Sequence, residues 1–172
     1  MTLDIEKCTE VSEGFLSLMQ RAADAAVQEE GLKEKTGAHI LLCDDDMIRT
    51  YNRTWRGVDR STDVLSFPLV GYPKGRTARD VPNRIAQAYD DDMDCCMLGD
   101  MIISVPHALA QAEEYGHSPE REFAFLVVHG LCHATASFPR AIRACSSFMS
   151  LRFQMALPIS STTPISSSPN SR

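Results

Sequence analysis

The chain is 172 residues long, 44% hydrophobic and 23% charged, with a formal net charge of −6. That length suits one globular domain of roughly 100–200 residues. The longest unbroken apolar run is six residues, Phe123 to Val128; a membrane span needs about 20, and the N-terminus has no basic start leading into an apolar stretch, so neither a membrane span nor a secretory signal is expected and the cytoplasm is the expected compartment.

Residues 9–30 predict a helix: Phe15, Leu16, Met19, Ala22, Ala23 and Ala26 recur at helical spacing, and Gly31 suits the position just past its end. GAHILLC (37–43) predicts a short buried strand. Asp44 to Asp46 can cap a helix running to about Arg56, with Met47, Ile48 and Tyr51 on one face. TDVLSFP (62–68) predicts a strand that stops at Pro68, and LGDMIISV (98–105) another. Between them, residues 71–97 predict a long polar loop with an acidic cluster at Asp90, Asp91, Asp92 and Asp94. Pro106 opens a helix that Gly116 closes; Ser118 and Pro119 supply the cap and first position of the next. That last helix, REFAFLVVHGLCH, is apolar nearly all round and is expected at the centre of the core. The mixture predicts an α+β class, a small mixed sheet packed by helices.

Six cysteines are scattered without C-x-x-C spacing, which argues against a disulfide framework or zinc ribbon. Charge is uneven: residues 1–48 carry a net −7, residues 49–84 a net +5 and residues 85–172 a net −4. One arginine-rich segment in an acidic protein can meet an anion locally. All 23 acidic residues lie at or before Glu122. Residues 158–172 are Ser/Thr/Pro-rich, and residues 134–172 as a whole predict a disordered or out-of-frame tail behind a domain of residues 1–133.

His129 and His133 are four apart on the last helix, so they share a face and can bind one metal ion. A zinc peptidase of the H-E-x-x-H type needs Glu after the first histidine, where this chain has Gly130. His117 precedes a helix start and is expected to be a capping or surface residue, and His39 and His107 are expected to be structural.

Three blocks, NRTWRGVDRSTDVLSFP (52–68), LGDMIIS (98–104) and QAEEYGHSPEREFAFLVVHGLCH (111–133), resemble in order and spacing the YbeY family of bacterial metal-dependent endoribonucleases of rRNA maturation. The resemblance implies a metal site near the central helix, built by three histidines in the pattern HG-x-L-H-x-x-G-Y-D-H, and one zinc per chain. Two of the ligands fall on His129 and His133; the third position, six residues further on, is Pro139. The resemblance also implies a catalytic role for Arg56, whose planar fork suits a phosphodiester. It places Thr62, Asp63 and Ser66 at the cleft edge, with Asp63 and Asp100 as residues that orient the groups touching metal or substrate. Arg53, Arg60 and the Lys74–Arg84 segment would guide RNA backbone by charge. Cys132 and Cys145 are the available soft substitutes for a third ligand, and Cys132 points about 100° away from His133. The implied partners are an rRNA precursor and the ribosome or its small subunit, with no DNA and no membrane. The implied function is single-strand-directed RNA hydrolysis, impaired by Pro139, and the alternative is an inactive RNA- or ribosome-binding module of the same fold.

Overall fold

The computed structural model describes residues 1–32 and 34–137. The predicted strand at GAHILLC is β2 (Thr36–Cys43), buried at every position except His39. Near-continuous burial belongs to a strand covered on both faces. It pairs in parallel with β1 (Thr2–Lys7) on one side and β5 (Cys95–Ser104) on the other. Two strands add to β5 in antiparallel sense, β3 (Val64–Pro68) and the short β4 (Tyr89–Asp90). The sheet order is β1-β2-β5-β3, with β4 also on β5. The expected α+β class is therefore the observed one. β1 is an addition to the predicted elements: its sequence, TLDIEK, is a half-exposed edge strand with charges at alternate positions, a weak apolar signal.

Alternation along the strands decides what each face carries. Ile40, Leu42, Met101 and Ile103 face α1 (Glu13–Glu30) and α5 (Pro119–Thr135), whose Met19, Ala22, Ala26, Phe123, Leu126, Val127 and Leu131 complete the main core. Phe15 and Phe123 stack across these helices with ring centres 5.0 Å apart. The other face carries Leu41, Cys43, Leu65 and Ile102, covered by Ile48 of α2 (Asp45–Arg56).

Helix ends follow the local chemistry. Asp44 Oδ1 accepts from the Met47 N–H at 2.8 Å, and Gly31 and Gly57 close α1 and α2 in the left-handed conformation. Ser104 caps α4 (Val105–Glu114), and Ser118 caps α5 with Pro119 at its first position. α5 continues two residues past the predicted boundary, to a buried Thr135. The predicted tail beyond Ser137, with Pro139 and Cys145, lies outside the described residues.

Residues 71–97 differ from the predicted open loop. They hold a 3-10 turn (Ala78–Asp80), α3 (Pro82–Ala86) and β4. Ala78 and Ile85 are fully buried against Leu98 and Ala134. Distant bonds fasten the segment: the Tyr72 hydroxyl donates to the Ala134 carbonyl, and Arg79 donates to the Glu29 and Glu30 carbonyls at the end of α1. The acidic cluster is turn chemistry, since Asp90 accepts from the Asp92 and Met93 N–H groups and Asp94 pairs with Lys35. Of the five cysteines among the described residues, four are buried and Cys8 is exposed.

Candidate functional site

α5 is buried along most of its length, but Arg121, Phe125, His129 and His133, at four-residue spacing, form an open stripe. The lower half of that stripe faces the start of β3 and the end of α2. There Trp55, Arg56, Thr62, Asp63, Ser66, Phe67, His129 and His133 line a hollow of about 540 Å³. A helix and a strand can approach this closely because residue 130 is glycine. A Cβ there would overlap Met101 Sδ and lie 3.3 Å from Ser66 Oγ. The glycine that disfavours peptidase chemistry is thus a packing requirement.

The two imidazoles meet edge to face, with Nε2 atoms 3.2 Å apart. Two nitrogens bound at about 2.0–2.1 Å to one tetrahedral zinc ion would lie about 3.3 Å apart. Partial burial, His129 and the cationic Arg56 together hold the His133 imidazole below its usual pKa. At neutral pH the ring is therefore uncharged, the form that a metal needs. Phe125 stacks on His129 at 5.7 Å and limits its rotation.

Arg56 is the last residue of α2, and the Gly57 turn directs the chain away beyond it. Its neighbours Arg49 and Arg53 pair with Asp59, at 2.8 and 3.9 Å. Among the described residues no carboxylate lies within ion-pair distance of Arg56. Its guanidinium is consequently available to an anion in the hollow.

The other candidate residues divide. Asp63 lines the hollow, and its Oδ1 accepts from the Thr62 hydroxyl and the Val64 N–H, which fixes it at the start of β3. Asp100 is not brought there. Met101 faces α5, so Asp100 beside it faces the opposite side of the sheet, in a separate hollow with Arg84, Tyr89 and Leu69. Arg53 and Arg60 lie on the exposed surface outside the hollow. Within the Lys74–Arg84 segment, Arg79 and Arg84 are engaged with backbone carbonyls of Glu29, Glu30 and Gly71. His39 faces Asp4 and Glu6, and His107 faces Asp45. His117 departs from the expected capping or surface role: it is mostly buried, with Nε2 3.4 Å from the buried carboxylate of Glu122. Burial pushes that carboxylate's pKa up, and His117 opposes the rise. Cys132 is buried and donates to the Val128 carbonyl, away from the histidines. Trp55 and Phe67 carry no spacing signal in the sequence, although both stand inside the block that carries Arg56.

Comparison with known proteins gives the family. The family model described as endoribonuclease YbeY matches residues 3–136. The chain belongs to the YbeY family. A YbeY protein of Moorella thermoacetica is 48% identical over 123 residues, covering 72% of each chain. One from Clostridium botulinum is 40% identical over 126 residues, covering 72% of this chain and 75% of that protein. The solution structure of TM1509 from Thermotoga maritima superposes with a TM-score of 0.56 at 18% identity, covering 94% of this chain and all of the other; this likeness concerns the fold alone.

The metal implied by YbeY membership can be tested against the residues present. His129 and His133 fit two positions of a zinc site by donor type and spacing. Catalytic zinc usually has three protein ligands, and among the described residues no third His, Cys, Asp or Glu joins them in a metal-binding cluster. The third position that the resemblance implies is Pro139, which has no donor atom in its side chain. The donor set fits the metal in two parts of three.

Proposed function

We propose that this chain is a metal-dependent endoribonuclease that cuts single-stranded RNA in rRNA maturation, in the cytoplasm. The observation that carries the reading is the convergence of two imidazole Nε2 atoms, 3.2 Å apart, in the hollow that also presents Arg56. His129 and His133 would hold zinc, which when bound supplies hydroxide near neutral pH by lowering the pKa of a water to about 7. Arg56 binds two oxygens of the scissile phosphate and offsets the charge that grows on them. Phe125 holds His129 in orientation, and Asp63 stiffens the facing strand edge. With Pro139 in place of the third histidine, zinc is held weakly and the rate is reduced.

A second reading, a module that binds RNA or the ribosome without cutting, is favoured by Pro139 alone. Both readings place RNA on Arg53, Arg56 and Arg60, and cleavage separates them. The experiment is incubation of a single-stranded RNA and its duplex with the purified chain over a range of salt. Three phosphate contacts on a single strand give a log–log slope of binding against salt of about −2, and Arg53→Ala reduces it by about 0.7. Faster cutting of the single strand supports the enzyme. Binding with that slope and no cutting supports the module, and salt-independent binding removes both.

A further inference from the structure

At the mouth of the hollow stands the chain's only tryptophan. Trp55 is 69% exposed, in the last turn of α2 next to Arg56, and its ring meets Phe67 edge to face at 6.1 Å. With Phe67 as its ring neighbour, Trp55 still leaves much of its surface open to solvent. A lone exposed aromatic is ordinary on a protein surface. This one differs by position, because it lines the same hollow as Arg56, His129 and His133. Arg56 can take a phosphate, and a flat apolar surface beside a phosphate-binding cation is the combination that single-stranded nucleic acid uses, one element for the backbone and one for the base.

We propose that Trp55 is the specificity-determining residue for single-stranded RNA, stacking one unpaired base while Arg56 holds a phosphate of the same strand. The inference rests on the proposed endoribonuclease reading and adds a reason for its single-strand preference. In a duplex each base face is covered by its neighbours, so the indole finds nothing to stack on. An unpaired base can turn out of its stack onto the ring.

Because the chain has one tryptophan, its indole fluorescence reports residue 55 alone. The test adds an unlabelled hexauridylate, or a 12-base-pair RNA duplex, to the full chain with a chelator present to prevent cutting. Fluorescence polarisation of a labelled oligomer measures binding separately. The expected result is strong quenching by the hexauridylate and little by the duplex at equal occupancy. Trp55→Ala then binds the single strand about tenfold more weakly, in line with the loss of one stacked base, and Trp55→Phe loses only a few-fold. Circular dichroism confirms that both variants are folded, as expected for an exposed position. Binding without quenching, together with wild-type affinity in Trp55→Ala, overturns the inference and leaves the endoribonuclease reading standing. Absence of any RNA binding overturns both.

Discussion

Arg56→Ala lowers the rate of single-stranded RNA cleavage about a hundredfold, the scale reached when a positioned donor to developing oxyanion charge is removed. The fold is nearly unaffected. Arg56 is exposed at the C-terminus of α2, where a cation contributes about 0.3–1 kcal/mol through the helix dipole. Arg56→Lys keeps the charge and loses the two-pronged geometry, so it recovers only part of the rate. The same substitution has an independent signature in His133. The guanidinium disfavours a proton on that ring, so removing it moves the His133 pKa upward, towards the ordinary imidazole value. Proton NMR of the ring across pH 5–8 reads this shift. An alanine variant that cleaves at the wild-type rate, with His133 unmoved, would show that Arg56 does not face the hollow.

The second large effect is at Gly130. On helix propensity alone, Gly→Ala stabilises a helix by about 1 kcal/mol. Packing acts in the other direction, because the new Cβ would overlap the Met101 side chain and press on Ser66. Overfilling a packed core costs about 1–3 kcal/mol, and the overlapped atoms belong to the movable end of the Met101 side chain, so Gly130→Ala is destabilised by about 2 kcal/mol at most. Gly130→Glu, which would create the peptidase pattern, adds a carboxylate at this buried contact and does not fold. Urea unfolding measures the alanine variant. Combining it with a shorter residue at Met101 recovers stability, because the two sites are coupled. A Gly130→Ala variant more stable than wild type would mean that the Met101 side chain moves clear of the new Cβ at little cost.

What could be read from the sequence was what depends on near neighbours. Asp44, Ser118, Pro119 and Gly31 act within three or four residues, and their caps appear as expected. The i, i+4 relation of His129 and His133 is likewise local, and so is the position of Arg56 at the end of its helix. The segment 71–97 departs from the expected open loop because part of what orders it is distant in sequence: Tyr72 reaches Ala134, and Arg79 reaches the end of α1. Asp100 was grouped with the site because its motif is contiguous with matched text. Alternation along β5 puts it on the face away from α5, with Phe67 of β3 as its cross-strand partner; what lies on that face is set by elements distant in sequence. His117 has its partner five residues away across a helix start, where the turn at Ser118 and Pro119 brings Glu122 back to it. Trp55 lacked a periodic signal; only the hollow gives it meaning.

The measurement that bears most directly on the central claim is the cleavage rate of single-stranded RNA by the wild-type chain and by His129→Ala as zinc is raised from a chelated start. The account predicts a wild-type rate that climbs with zinc and saturates only at high concentration, since two histidines hold the ion where three are usual, and a His129→Ala rate that stays at background. An identical zinc response in both proteins, or cleavage that persists in chelator, would contradict it.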